Sequence, residues 1–358
     1  MSKEKRYFVS LLFLLYCFLC CNIVAFASEE ALVAPEPIPF IIDTDFCSDV
    51  DDVLAVSTAM WFQDNGLTDV RAIGICCSST RSTQALSALL YSHKYYDIPI
   101  GLDTENGIPM DNSYFMNMIN GRTHSTEYVS NIVKLYRYIL VTSETKVNII
   151  TLGQLINIER LMNSQPDEIS PLTGYELLAE KCDTIYMIAA KANGQMENNL
   201  WYYGVNVPTN KYYNTTAITD AGVAIAKHFP TRCVWMTSEL GGTFRAGNFF
   251  NLYDKKKTDI ITNALLDFGT PQGCTAFDPM GIYIAMLEAN GLLETKGLYL
   301  QEGTMRIYSW GTSAFTDFDP TRNHYRVIKT MPDNFYESEI NQILAFEYEK
   351  RNNVKINW

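Results

Sequence analysis

Histidine is scarce in this chain, with four in 358 residues. After residue 27 no two cysteines form a C-x-x-C pair, so the ligand sets of a structural zinc site are missing. Basic charge is short as well. Lys and Arg number 28 against 40 Asp and Glu, and no basic stripe is visible. Binding of nucleic acid through its phosphates is therefore disfavoured. The chain has no internal repeat, no low-complexity charged tail and no Pro/Gly-rich interdomain linker, which favours one domain over two. Long apolar runs are also missing, with one exception. Residues 7–24 are almost wholly apolar, follow Lys3, Glu4, Lys5 and Arg6, and precede Ala25-Phe26-Ala27. That is the layout of a secretory signal peptide over residues 1–27, with a linker over 28–37 behind it. A retained membrane anchor is the alternative reading. Cys17, Cys20 and Cys21 lack the small neighbours of a lipoprotein cleavage site.

Export places the protein in a secreted or periplasmic setting, off the membrane once the signal is cleaved. Residues 1–27 carry three basic residues and one acid, so the exported chain is more acidic still than the formal −12 of the whole. Six cysteines remain: Cys47, Cys76, Cys77, Cys182, Cys233 and Cys274. Disulfides and buried thiols are both open readings for them.

The acids are concentrated in one place. Asp43, Asp45, Asp49, Asp51 and Asp52 fall within ten residues, directly after the apolar run Pro39-Phe40-Ile41-Ile42. Continuous and partly β-branched, that run reads as a buried strand. Val53, Leu54, Ala55, Val56, Ala59 and Met60 follow at helical spacing. The acids therefore sit on a strand-to-helix turn, where they converge. Like charges at close range repel or force protonation unless a cation joins them. An all-Asp set suits Ca²⁺ or Mg²⁺ better than zinc. An EF-hand fails, because the sixth position from Asp43 is not Gly and the twelfth is Leu54. A phosphatase with an aspartyl nucleophile explains only Asp43 and Asp45.

Strand-like stretches at 39–43, 70–77, 146–152, 183–190 and 232–237 alternate with helical spacing at 52–62, 82–95, 126–140, 154–162 and 217–228. This β-α alternation predicts an α/β fold, Rossmann-like and doubly wound, with a mostly parallel sheet. Asp278-Pro279 opens a further helix at 280–289. Stretches 297–300 and 304–310 then read as a small antiparallel hairpin, and 334–350 as a closing amphipathic helix. In open α/β sheets ligands bind outside the carboxyl ends of the strands. The acids, Cys76-Cys77-Ser78-Ser79, Leu152-Gly153-Gln154 and the 190–199 loop all fall at such ends.

Together these motifs resemble a known family. Asp43-Thr44-Asp45 with Asp51-Asp52 and Ala55 is similar to the metal-binding signature of inosine-uridine-preferring nucleoside hydrolases, with a lengthened Asp loop. Tyr96-Asp97-Ile98-Pro99-Ile100-Gly101 resembles their D-I-P-V-G strand, and Leu152-Gly153-Gln154-Leu155-Ile156-Asn157 their G-P-L-T-N turn. Phe277-Asp278-Pro279 falls where they carry H-D-P or W-D-P, and His324-Tyr325-Arg326 near their C-terminal ending. The resemblance spans about residues 38 to 350 of a domain running 38–358.

The resemblance implies calcium-dependent hydrolysis of the N-glycosidic bond of ribonucleosides or related ribosides, as in purine and pyrimidine salvage. It implies Asp45, Asp52, Asp278 and the Leu152 carbonyl as calcium ligands, Asp45 as the base for the attacking water, and Asp51 as a ribose contact. Asp43 is implied to orient the loop. The partner is a small riboside, and a homo-oligomer is left open. Three positions depart from the family. Phe277 stands where the family has histidine. Ser78 or Ser79 replaces the ribose-binding Asn after the second strand. The E-F-N ribose motif is matched at best by Tyr212-Tyr213-Asn214, with Asn193, Asn198 and Asn199 as rival amides. His124, Glu239 and the aromatic triplet Trp201-Tyr202-Tyr203 are weaker candidates for the leaving-group side. These departures motivate an alternative of a different class, a pseudoenzyme that binds calcium and sugar without turnover.

Overall fold

Apolar runs in this sequence become the central strands of one sheet. The structure, a computed structural model, describes residues 36–104, 107–112, 114–201 and 215–356. The expected signal peptide, most of the linker, and Asn214 lie outside the described residues.

Strand β1 (Ile38–Thr44) is buried from Phe40 to Thr44 and lies between β2 (Thr68–Ile75) and β4 (Val147–Thr151), parallel to both. A strand covered on both faces needs no polar alternation; β4 is buried throughout, and β2 alternates only over Thr68–Arg71 before it becomes fully buried. Strand β3 (Ile100–Leu102) closes one edge beside β2. On the other side follow β5 (Cys182–Met187) and β7 (Arg232–Trp235). Strand β6 (Asn193–Met196) leaves this region, while β8 (Arg245–Ala246) and β9 (Cys274–Thr275) form a separate two-stranded pair. Strands β10 (Leu298–Ile307), β11 (Thr312–Thr316) and β12 (His324–Lys329) complete the main sheet. Its order is β3-β2-β1-β4-β5-β7-β12-β10-β11-β6, parallel as far as β12 and antiparallel beyond. This is the mostly parallel α/β sheet expected from the sequence.

Helix α1 (Asp51–Asp64) is buried at nearly every position. The late helices that start at Phe277 and Asp333 pack against it, so it shows no polar stripe. Helices α2 (Thr80–Ser92) and α3 (Phe115–Ile119) pack together after β2. Helix α4 (Ile132–Thr142) begins six residues later than its apolar pattern, because the Asn131 side chain accepts from Lys134 N at 3.1 Å and caps it. Then come α5 (Ile156–Met162), α6 (Gly174–Lys181), α7 (Thr215–His228), α8 (Phe250–Tyr253) and α9 (Ile260–Asp267). Helices α10 (Phe277–Ala289) and α11 (Asp333–Asn352) close the fold. No helix among the described residues is long and apolar enough to cross a membrane.

One expected boundary differs. Residues 297–300 and 304–310 do not pair with each other: Leu298–Ile307 is the single strand β10, which pairs β12 on one side and β11 on the other. Gly303 makes room rather than a bend: a Cβ there would lie 2.1 Å from Cε1 of Phe315. The antiparallel hairpin is β10 with β11.

The register aligns the carboxyl ends. Asp43 pairs with Gly74 and Thr151, Thr151 with Met187, and Met187 with Trp235. The chain leaves β1 toward β2 and β3, then returns to β4 on the other flank. The crevice at that reversal is where ligands of such sheets bind.

Candidate functional site

The acidic turn is built at the end of β1. Ser48 N donates to Asp45 O at 2.9 Å, and Tyr114 OH and Asn112 Nδ2 hold the carbonyls of Asp49 and Ser48 at 2.7 and 2.8 Å. A disulfide joins Cys47 to Cys77, tying the turn to the end of β2. Cys76, Cys182, Cys233 and Cys274 are buried free thiols, so both readings of the cysteines are realised. Gly153 lets the turn after β4 press on the acids, since a Cβ there would lie 2.6 Å from that of Asp45.

Asp45, Asp52 and Asp278 each offer a carboxylate oxygen within 4.8 Å of the others, and Asp49, Asp51 and Asp52 form a second such group. Asp278 comes from the first turn of α10, and its backbone N–H faces Asp51 Oδ2 at 3.5 Å. Thr44 Oγ1 donates to Asp52 Oδ1, whereas Asp52 Oδ2 and Asp51 Oδ1 are buried with no hydrogen-bond partner. Orphaned buried carboxylate oxygens are costly unless a cation or proton meets them. Burial first, then the charge of Asp49, raises Asp45 to about 7. Asp51, Asp52 and Asp278 are pushed well up, by burial first and then by their acidic neighbours. Oxygen-only donors so arranged could hold a metal ion, and a hard divalent cation fits them. Asp43 is set apart: Asn157 Nδ2 donates to its Oδ2 at 2.9 Å, as does Tyr136 OH. It braces β1 against α4 and α5.

Asp45, Asp49, Asp51 and Asp278 line a pocket of about 250 Å³. Leu152 lies in its wall, and the Leu152 carbonyl accepts from Asn199 Nδ2 at 2.7 Å. The same amide nitrogen donates to Ile188 O at 2.8 Å, bridging the ends of β4 and β5. Gln154 Nε2 reaches Asp45 Oδ2 at 3.2 Å, and its Oε1 accepts from Cys76 Sγ at 3.1 Å. Glu197 Oε2 accepts from the N–H groups of Asn199 at 2.9 Å and Ala190 at 3.2 Å. Burial raises the Glu197 carboxyl to about 7. Phe277, Ser238, Met196 and Lys191 complete the far side.

Several expected residues lie elsewhere. Neither Ser78 nor Ser79 lines this pocket. Ser78 is tied to Ile108 O, while Ser79 caps α2 through Arg81 N and bonds Asp111 at 2.9 Å. Their short hydroxyls are spent on the 108–111 segment and on the start of α2. His124 pairs with Arg122 O, Glu239 with Ala192 N, and Trp201 with the ring of Trp310. Asn193 Oδ1 accepts from Gln195 N, whereas Asn198 and Asn199 reach the pocket. Gln154 and Glu197 were not singled out from the sequence. One signal for the second was present: Glu197-Asn198-Asn199 has the E-x-N spacing sought at 212–214, ahead of the aromatic triplet instead of after it.

No protein-family profile matches the chain, and no curated protein resembles it closely in sequence. Solved structures do match. An inosine-uridine preferring nucleoside hydrolase from Bacillus anthracis is similar with a TM-score of 0.61 at 11% identity, over 86% of this chain and 99% of that one. An inosine-guanosine nucleoside hydrolase matches with a TM-score of 0.60 at 15% identity, over 86% and 98%. The type III effector XopQ, solved with adenosine diphosphate ribose, matches with a TM-score of 0.57 at 11% identity, over 87% and 93%. The chain has the nucleoside hydrolase fold.

Proposed function

We propose that the protein is an exported, calcium-dependent hydrolase of the N-glycosidic bond of ribonucleosides or related ribosides. The observation that carries this reading is the convergence of Asp45, Asp52 and Asp278, from two distant segments, on the switch point of a nucleoside hydrolase fold. Asp45, Asp52, Asp278 and the second lone pair of the Leu152 carbonyl would hold the cation. When bound, the cation anchors vicinal ribose hydroxyls and favours ionisation of a water.

The chain's own residues supply the rest. Asp45 takes the proton of the attacking water. Gln154 steadies its Oδ2 from one side. Asp51 and Asn199 face the sugar, and the buried carboxylates stabilise the positive charge that develops on the ring. Export accords with the Cys47–Cys77 bridge, since such bonds persist in oxidising compartments.

Phe277 at the pocket wall favours one rival reading, in which the site binds riboside and cation without turnover. A base-release assay over inosine, uridine and nicotinamide riboside, beside binding calorimetry on the same samples, separates the two. Base release supports hydrolysis. Riboside affinity with no release supports the binding protein instead.

A further inference from the structure

Two of the groups assigned above to the cation, Asp45 and the Leu152 carbonyl, stand on different strand ends yet share one hydrogen-bonded chain. Its polarity is fixed from the far end. Asn199 Nδ2 lies 2.7 Å from Leu152 O and 2.8 Å from Ile188 O. Carbonyl oxygens only accept, so the nitrogen of Asn199 faces them and its Oδ1 faces the other way. One end atom of the Gln154 amide meets that Oδ1 at 3.4 Å and Asp45 Oδ2 at 3.2 Å. Because Asn199 Oδ1 accepts, this atom is the nitrogen, Nε2. Gln154 Oε1 is thereby turned to Cys76 Sγ at 3.1 Å, and the thiol is the donor. Two backbone carbonyls thus dictate the direction of every bond back to Cys76.

The thiol is delivered by a braced backbone. Cys76 N donates to Thr44 O, and Cys76 O accepts from Ile108 N, both at 2.9 Å. The next residue, Cys77, is held in the bridge to Cys47. Cys76 and Gln154 are both buried, so bulk water does not replace a partner lost here. An amide oxygen left bare in such a place is costly, which favours a swing of the whole Gln154 side chain away from Asp45.

We propose that Cys76 and Gln154 act as one positioning unit for the cation centre. The thiol fixes the amide, and one amide nitrogen then sets Asp45 directly and the Leu152 carbonyl through Asn199. The effect on turnover rests on the hydrolase reading above, whereas the effect on cation affinity is read separately. Groups that orient metal ligands from behind typically contribute about 10–100-fold to metal affinity or activity. The vicinal pair Cys76-Cys77 divides its work accordingly: Cys77 ties the acidic turn covalently, and Cys76 stays a thiol to orient the amide.

The test uses the full chain, with circular dichroism to show that each variant is folded. Cys76→Ala removes the donor, Cys76→Ser also loses volume but keeps a donor, and Gln154→Met removes both ends of the amide. Cys76→Ala is expected to weaken calcium about tenfold by calorimetry, and Gln154→Met at least as much. At saturating calcium, Cys76→Ala should lower kcat for inosine about tenfold with KM within a few-fold, because Asp45 acts on the water and not on the riboside. Cys76→Ser should recover most of both losses. In the Gln154→Met background Cys76→Ala should cost nothing further, since the thiol acts through the amide. The infrared S–H band that Cys76→Ala removes should be that of a hydrogen-bonded thiol, and should move to the free-thiol frequency in Gln154→Met. Equal losses in Cys76→Ala and Cys76→Ser, unchanged calcium affinity in Gln154→Met, additive losses in the double variant, or a free-thiol band in wild type would each overturn the proposal. A folded wild type that binds calcium but releases no base overturns the hydrolase reading alone. The ranking of the variants in calcium affinity then still supports or overturns the role of Cys76 and Gln154. A folded wild type that takes up no calcium overturns both.

Discussion

The bridge between Cys47 and Cys77 closes a loop with a sequence separation of 30 that contains all of α1 and β2. Replacing both by Ser opens that loop in the unfolded chain. For a closed loop of about 30 residues the chain-entropy relation gives about 3.6 kcal/mol at 25 °C. The unfolding entropy of a domain of about 320 residues is roughly 0.7 kcal/mol/K at its midpoint, so the loss corresponds to a drop of about 5 °C in Tm. Cys47 also lies between Asp45 and Asp49, so the same change loosens the acidic turn. Tyr114 and Asn112 still hold that turn through the carbonyls of Asp49 and Ser48. Calcium affinity should therefore weaken by about tenfold rather than vanish, about 1.4 kcal/mol. Differential scanning calorimetry and calcium titration of Cys47→Ser/Cys77→Ser beside wild type, both without reductant, read the two effects. The double variant is the cleaner perturbation because both sulfurs are buried from reductant. A Tm within about 1 °C of wild type, with unchanged calcium affinity, would refute the reasoning.

Three further outcomes follow from the site and its surroundings. Asp52→Asn can keep the Thr44 bond but removes one of three converging charges. It should lower kcat/KM for base release by at least about 10²-fold, yet raise Tm in chelator, where like-charge repulsion is relieved; kinetics and melting curves report each. Asn199→Ala removes the amide that bridges Leu152 O and Ile188 O, and Asn199→Asp places a carboxylate against both carbonyls. Activity assays should rank wild type above Ala and Ala above Asp, because an unpaired acceptor facing acceptors is worse than a gap. Far from the pocket, His93 Nδ1 meets Glu347 at 2.9 Å and its Nε2 meets Arg351 at 3.2 Å. Burial, then Arg351 and Lys350, holds the His93 pKa well below its usual value. A depressed histidine contributes stability above its unfolded pKa near 6.5 and loses it as pH falls. Glu347, raised to about 7 chiefly by burial, acts with the opposite sign, penalising folding as pH rises toward 7. Comparison with His93→Gln isolates the first effect. The Tm of wild type relative to that variant should drop between pH 6.5 and 5, and a constant difference across that range would exclude it.

How legible the molecule was from its sequence differed by element. The run into Asp43-Thr44-Asp45 and the apolar helix behind Asp52 carry strong local signals, and the structure turns both into the central strand and a buried helix. The helix that starts beside Asp278 was legible from Pro279, whereas Asp278 as a site residue came only from the resemblance of Phe277-Asp278-Pro279 to the family's motif. The stretches 297–300 and 304–310 misled as a strand pair because residues 301–303 between them continue one strand, in which Gly303 admits the ring of Phe315. Ser78 and Ser79 misled because hydroxyls at a strand end serve a helix cap as readily as a ligand. Asn199 sits on a single turn of 3-10 helix, which Glu197 caps, without periodicity. Asn199 gains its place from a bond to Leu152 O, far back along the chain. The pairing of Cys47 with Cys77 depends on the same long-range geometry.

The most direct test uses protein stripped of divalent ions and shown by circular dichroism to remain folded. Calorimetry with calcium should show one saturable site, and inosine hydrolysis should be absent before calcium is added and restored at stoichiometric saturation. Base release that is indifferent to chelator, or a folded protein that takes up no calcium, would contradict the reading of Asp45, Asp52 and Asp278 as the centre of the site.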